Sequence, residues 1–303
     1  MNPSTHDDNT VINASDTPQE VELKLALGQD SVETLKAHPL LQATTCETYR
    51  LANVYYDTPG RALEQYRVAL RLRGDGQRFV QTVKTAGHGH GGLHTRGEWE
   101  IPRDAESLDT DWLAGLGVTP FEQDDVRQSL QPVYRTDFQR TQWLLEHEGS
   151  RIELALDIGE IIVGEHRVAI HEIELELKGG REDALWSLAE QLAGQCALRP
   201  ANASKAARAV SLREQQWTLP PCALDMPEQC LERAILALDA FQDSQQPSFL
   251  YDARQTLLNL TRHDDPEVAT LAGRLADLLS RTQWLDCRFG QQWLALMQHL
   301  YRG

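Results

Sequence analysis

The sequence predicts an α+β fold: an antiparallel β-barrel tunnel with flanking helices, followed by a small all-α helical domain. Three observations carry this expectation. At least six segments alternate apolar and ionised residues with a period of two, as a strand with one packed and one polar face requires. The charges on those segments are sorted, acids on the first and last, with Arg71, Arg73 and Lys84 between them. A solvated surface mixes signs. A sheet that curls until its ionised face lines a wet tunnel, with its apolar face outward under helices, accounts for the order. After Pro221 the period changes from strand-like to helical.

Taken in order, residues 1–19 are polar, without an amphipathic period, and read as a disordered tail. Residues 20–27 make the first strand, with Glu20, Glu22 and Lys24 on one face and Val21, Leu23 and Leu25 on the other. Asp30 and Ser31 offer a helix cap before Val32, Leu35 and Leu40. A strand over 51–56 ends at the turn Asp57-Thr58-Pro59-Gly60, which Asp57 is expected to satisfy, and 61–66 is a short helix or turn. Strands over 68–73 and 78–85 flank Gly74-Asp75-Gly76-Gln77, a hairpin signal. A strand over 94–101 stops at Pro102. Residues 104–130 lack alternation and read as mostly helical, broken at Gly115, Gly117 and Pro120. Strands over 133–146 and 150–156 form a hairpin around Glu148-Gly149, and strands over 160–163 and 168–177 follow. Helices cover 182–194 and 203–215. Residues 216–227 contain Pro220-Pro221 and read as a linker. The chain therefore divides into a tunnel domain over 20–215 and a helical bundle over 228–303. Helical stripes run over 228–243, 248–262, 266–281 and 284–301, with Ser248 and Asp265 as caps.

The first strand already suggests chemistry. Glu20 and Glu22 point the same way about 7 Å apart, close enough to share one cation, and Lys24 adds the opposite charge one step along. Acids that can hold a metal beside a base that can hold a phosphate suit a metal-assisted phosphoryl site. Arg71 and Arg73 share a strand face, and Lys84 lies on the adjoining hairpin strand. Several cations held close together are what a phosphate-bearing anion of high charge needs, and the guanidinium fork meets phosphate oxygens two at a time.

The motifs Glu20-Val21-Glu22-Leu23-Lys24, Tyr55-Tyr56-Asp57-Thr58, Leu70-Arg71-Leu72-Arg73, Thr82-Val83-Lys84, Arg96-Gly97-Glu98, Glu172-Ile173-Glu174-Leu175-Glu176 and Ser204-Lys205 occur in that order. Together they resemble the CYTH domain, the triphosphate tunnel metalloenzyme family, over about residues 20–213. Gly91-Gly92-Leu93-His94 and Ser150-Arg151-Ile152-Glu153 resemble the bacterial inorganic triphosphatases that join a CYTH domain to a helical C-terminal domain.

The resemblance implies site roles. Lys24, Arg140 and Lys205 join Arg71, Arg73 and Lys84 as substrate-binding bases, with Arg96 as a further member. Lys24, Arg71, Arg73 and Lys84 are the expected catalytic set. Glu20, Glu22, Glu172 and Glu174 would hold a divalent metal, Mg2+ or Mn2+, with hard oxygen ligands. Asp157 and Glu153 would help hold metal or orient the bases, and Glu98 and Glu176 are weaker members. The implied reaction is hydrolysis of tripolyphosphate by direct attack of water. Class IV adenylate cyclase, thiamine or nucleoside triphosphatase, and a non-enzymatic phosphate-binding module stay open as alternatives. The helical segment resembles the CHAD domain in place and type but is too short for a complete one. It lacks an arginine-rich stripe, so polyphosphate binding is not carried over to it.

Composition limits the partners. Forty-five acids against 29 bases give a net charge of -16, which disfavours nucleic acid and anionic membranes. A small triphosphate is the expected partner, and no protein partner is indicated. No apolar run reaches the ~20 residues that span a bilayer and no signal segment follows Met1, so a cytoplasmic location is expected. The five cysteines show no Cys-X-X-Cys pair, and free thiols are expected. His88, His90 and His94 sit in a glycine-rich stretch that reads as a hairpin or lid loop.

Overall fold

The computed structural model describes residues 21–74, 78–85, 88–90, 93–95, 97–223 and 225–302. The tail over 1–19, Glu20 and Arg96 lie outside the described residues.

The strands are β1 (Glu22–Leu27), β2 (Cys46–Asp57), β3 (Ala69–Gly74), β4 (Phe79–Lys84), β5 (His88–His90), β6 (Leu93–Thr95), β7 (Glu98–Arg103), β8 (Gln131–His147), β9 (Ser150–Val163), β10 (His166–Gly179) and β11 (Leu198–Pro200). Nine of them form one antiparallel sheet in the order β11-β1-β10-β9-β8-β2-β3-β4-β7. β5 and β6 pair separately, a small hairpin in the histidine stretch. Short helices α1 (Val32–Lys36), α2 (Pro39–Gln42), α3 (Ala62–Gln65), α4 (Thr110–Ala114) and α5 (Asp124–Gln128) fill the connections. Longer ones follow: α6 (Asp183–Ala193), α7 (Lys205–Glu214), α8 (Pro227–Ser244), α9 (Pro247–Leu260), α10 (Pro266–Leu278) and α11 (Cys287–Arg302).

The alternation read from the sequence becomes two faces. Leu23 and Leu25 of β1, Leu154 and Leu156 of β9, and Ile173 and Leu175 of β10 point outward, where Leu185, Leu188 and Leu192 of α6 cover them. Leu70 and Val83 are covered in the same way by Leu113, Phe121 and Val126. Each such side chain contributes about 1.5–3 kcal/mol on burial. The opposite face carries the charges. Residues of both β1 and β7, far apart in strand order, line one cavity, so the sheet is curled around it.

α7 lies on the ionised side of the sheet. Its Ala209 and Leu212 pack on Leu51, Phe138, Ile161, Val168 and Ile170, an apolar patch on the otherwise charged face. The C-terminal helices have their own core, in which Ile235, Leu257, Leu275 and Trp293 are buried. They are not detached from the sheet: Leu294 of α11 belongs to the core under β1 and β10, and Trp186 of α6 touches both cores.

Local expectations were met unevenly. Asp57 satisfies its turn, accepting from the amides of Thr58 and Leu63 on Oδ1 and Glu64 on Oδ2. Asp265 caps α10. Ser31 does not cap its helix; its buried Oγ accepts instead from the amide of Ala197. Ser248 is not a cap either, since Pro247 starts α9 one residue earlier. Residues 104–130 hold only α4, α5 and a 3-10 turn over Thr119–Glu122, because Gly115, Gly117 (φ 65°) and Pro120 interrupt any longer helix. The break expected after Leu156 is absent. β9 runs straight through Gly159, where a Cβ would lie 2.1 Å from the Asp137 carbonyl oxygen of β8.

Candidate functional site

The concave face encloses a cavity of about 940 Å³. Strand parity places its lining. Glu22 and Lys24 come from β1, Asn53 and Tyr55 from β2, Arg71 and Arg73 from β3, Lys84 from β4, and Glu98 and Glu100 from β7. Phe138 and Arg140 come from β8, Glu174 and Glu176 from β10, and Lys205 and Arg208 from α7.

One wall is a knot of opposite charges. Oxygens of Asp157, Glu172 and Glu174 lie within 4.8 Å of one another. Sheet register explains this, since Glu172 faces Asp157 across β10 and β9, and Arg140 faces Asp157 across β8 and β9. Three like charges at that spacing need compensation. Lys205 Nζ supplies it, 2.8 Å from Asp157 Oδ2 and 3.4 Å from Glu174 Oε1, and also hydrogen-bonded to Glu172. Arg140 Nη2 donates to Glu174 Oε2 at 2.6 Å while gripping Asp157. Lys24 Nζ lies 3.1 Å from Glu172 Oε2 and donates to the carbonyl of Ala203 at 2.9 Å.

These contacts set the ionisation. Burial alone would raise the Glu172 carboxyl, but the ammonium groups of Lys205 and Lys24 outweigh it and hold the group at about 2. Glu174 is likewise lowered against its burial, by Lys205 and Arg140. Lys205 is raised despite burial, because Asp157, Glu172 and Glu174 surround it. Glu172, Glu174 and Lys205 are therefore ionised at neutral pH.

The facing wall is basic and less well compensated. Arg71 Nη2 donates to Thr82 Oγ1 at 3.1 Å and approaches Glu100 Oε1 at 3.4 Å, yet its buried Nε has no partner among the described residues. Arg73 Nε donates to Asn53 Oδ1 at 3.1 Å. Burial, and then the like charges of Arg71 and Arg140, pull Arg73 down to about 10. A cation held at a disadvantage beside two others is a place where a bound anion is favoured. Lys84 pairs with Glu98 at 2.7 Å.

The structure thus brings together Glu22, Lys24, Arg71, Arg73, Lys84, Arg140, Glu174 and Lys205 on the two walls of one cavity, with Asp157 and Glu172 in direct contact with them. Asp157 lies with Glu172 and Glu174 in a carboxylate cluster close enough to share a metal ion. Both of its oxygens also accept from Arg140, and one from Lys205. Glu153 shares the strand face of Asp157, opposite Glu176, and lies 3.6 Å from Lys178.

Sequence reasoning missed Asn53, Arg208 and Tyr134, which stacks on Tyr55 with ring centroids 4.4 Å apart, and gave Thr82 no partner in Arg71. Arg208 had a signal: it follows Lys205 by three residues, which puts both on one helix face. Asp239 and Asp243 of α8 also line the cavity, and nothing in the sequence ties them to it.

The family model for the CYTH domain matches residues 18–210. The chain is 38% identical over 201 residues to a curated inorganic triphosphatase of Haemophilus influenzae, a match covering 66% of this chain and 56% of that protein. The match thus spans little more than half of that relative's length. A solved structure from Hippeastrum, described as an adenylyl cyclase candidate with a dominant triphosphatase activity, aligns at 19% identity and TM-score 0.49, covering 66% of this chain and 98% of that one. The crystal structure of an inorganic triphosphatase aligns at 18% identity and TM-score 0.27, covering 56% of this chain and 80% of that one. Among the described residues no helix is long and apolar enough to cross a membrane.

Proposed function

The chain belongs to the CYTH domain family, and from that premise we propose that it hydrolyses inorganic triphosphate (tripolyphosphate) to pyrophosphate and phosphate. The observation that carries this reading is the facing of two walls across one cavity: the under-compensated cations Arg71 and Arg73, and the ion-paired knot of Asp157, Glu172, Glu174, Arg140 and Lys205. The relative named inorganic triphosphatase supports it.

Linear triphosphate carries about four to five negative charges at neutral pH. Arg71 and Arg73 would bind it with paired N–H groups, the unpartnered Nε of Arg71 among them. Lys84, on the next strand, extends the row, and Arg140, Lys205 and Lys24 face it from the acidic wall. Arg96 would add to this set. Asp157 would keep Arg140 and Lys205 in place. Asn53 would hold Arg73 through its Nε.

Glu22, Asp157, Glu172 and Glu174, with Glu20, would hold a divalent cation. The donor set is carboxylate oxygen throughout, which fits hard ions such as Mg2+ or Mn2+ and not soft ones. When bound, such an ion neutralises phosphate oxygens and lowers the pKa of water. The five thiols, all unpaired, support a cytoplasmic setting.

The test is phosphate release from tripolyphosphate, ATP and thiamine triphosphate, with cyclic AMP measured in parallel, under Mg2+, Mn2+ or excess EDTA. Tripolyphosphate should be the preferred substrate, and EDTA should stop turnover. Cyclic AMP from ATP without tripolyphosphate cleavage would replace this reading with a cyclase. Tripolyphosphate binding without turnover would leave a phosphate-binding module.

A further inference from the structure

α8 lies beyond the region matched by the family model, yet it reaches the site. Two of its carboxylates, one helical turn apart, face inward. Asp243 grips Arg208, whose Nε lies 2.9 Å from Oδ2 and whose Nη2 lies 2.7 Å from Oδ1. The side chains are 7% and 2% exposed, so this pair is desolvated. The free edge of the same guanidinium turns to the knot, with Nη1 3.7 Å from Glu172 Oε2. Nη2 also donates to the carbonyl of Ala169 at 2.6 Å, which ties Arg208 to β10.

Asp239 does parallel work one turn earlier. Its Oδ2 accepts from the amides of Asn202 at 3.0 Å and Ala203 at 2.9 Å, and its Oδ1 accepts from buried Arg199 at 2.6 Å. Those amides belong to the turn that leads into the Ser204 cap of α7 and supplies the carbonyl held by Lys24. The turn therefore sets where Lys205 enters the knot and where Lys24 is held.

We propose that α8 is a working part of the triphosphate site, in which Asp243 and Asp239 are positioning residues that fix Arg208 and Lys205 against Glu172. This rests on the triphosphatase reading above. Neither carboxylate needs to touch substrate. Each takes the slack out of a base that does the contacting, and a loosely held long side chain forfeits the preorganisation on which charge stabilisation depends.

The experiment uses the full chain and a double-mutant cycle. Asp243→Asn, Arg208→Gln and the double variant are compared with Glu232→Gln, an exposed position on the same helix. Readouts are tripolyphosphate turnover, the Mg2+ concentration at half-maximal rate, and thermal unfolding. Asp243→Asn should lower turnover or metal affinity by about 10- to 100-fold. The double variant should be no worse than Arg208→Gln, because one residue acts through the other. Glu232→Gln should match the parent. Arg208→Lys keeps the buried charge but not the two-pronged grip, and it should lose a comparable factor while staying folded. Parent-like rates in Arg208→Lys or in folded Asp243→Asn, or additive losses in the double variant, would overturn the proposal. A parent chain without triphosphatase activity would instead sink the proposed function, a separate outcome.

Discussion

Arg140 holds Asp157 by two parallel hydrogen bonds, Nε to Oδ1 and Nη2 to Oδ2, each 2.7 Å long. The two residues stand opposite each other in the β8–β9 register, so the pair is built by the sheet itself. Asp157 is fully buried, and Lys205 shares its Oδ2. A buried carboxylate so placed is a fixed anchor for two bases that face the cavity.

Asp157→Asn should therefore destabilise the fold as well as the site. Removing one partner of a buried ion pair costs about 3–5 kcal/mol, because the other charge stays buried without compensation. Urea denaturation of the variant and its parent measures this. A loss below about 1 kcal/mol, the range of exposed pairs, would show that water reaches the pair and that the anchor is weak.

Arg73 should behave in the opposite way. It is a buried cation pulled down to about 10 by its burial and by Arg71 and Arg140. Arg73→Met removes that repulsion, and the ligand-free chain should gain stability of about 1 kcal/mol or more. Tripolyphosphate affinity should fall about ten- to hundredfold, the worth of one charge-assisted contact. Thermal unfolding with and without tripolyphosphate reads both effects. A variant that is both less stable and equally tight in binding would remove Arg73 from the site.

Acid should weaken the fold through Glu172. Its folded-state value of about 2 lies below the usual 4.5. The unfolded chain thus binds a proton at Glu172 more readily than the folded one. The stabilisation is present above the unfolded value and is lost as pH falls from about 4.5 towards 2. Denaturation midpoints of metal-free protein over that range should drop. Glu172→Gln should show a shallower drop; an identical slope would mean that other carboxylates carry the effect.

Ending the chain at Gln215 should abolish the site. Arg199, 2% exposed, would lose Asp239 and Gln242, and Arg208 would lose Asp243. Each broken buried pair costs about 3–5 kcal/mol, against a total stability of about 5–15 kcal/mol for a typical domain. Circular dichroism and tripolyphosphate turnover of the shortened chain check this. A folded, active product would make the helical segment a separate module.

The alternation of apolar and charged residues was enough to read the antiparallel sheet, its outward core and most of its inward site. A strand's period of two assigns a face to each residue without any knowledge of neighbours. Arg71, Arg73, Lys84, Glu172 and Glu174 were legible for that reason, and Lys24, Arg140 and Lys205 through the motifs around them. The uninterrupted course of β9 was not, because Gly159 reads as a breaker until the backbone of β8 is seen to pass against it.

What the sequence by itself determined, then, is which residues share a face. What only the tertiary structure decided is who pairs with whom across the cavity. That Arg140 and Lys205 both sit on the oxygens of Asp157 was not legible from the strand period. Asp239 and Asp243 look like two ordinary acids of a helix until α8 is docked on the turn over 201–204 and on α7. The physical reason is range. Face assignment follows from local backbone geometry, whereas the partner of a charge is set by docking elements distant in the chain, 35 residues apart for Arg208 and Asp243 and 40 for Arg199 and Asp239, and no periodicity encodes that.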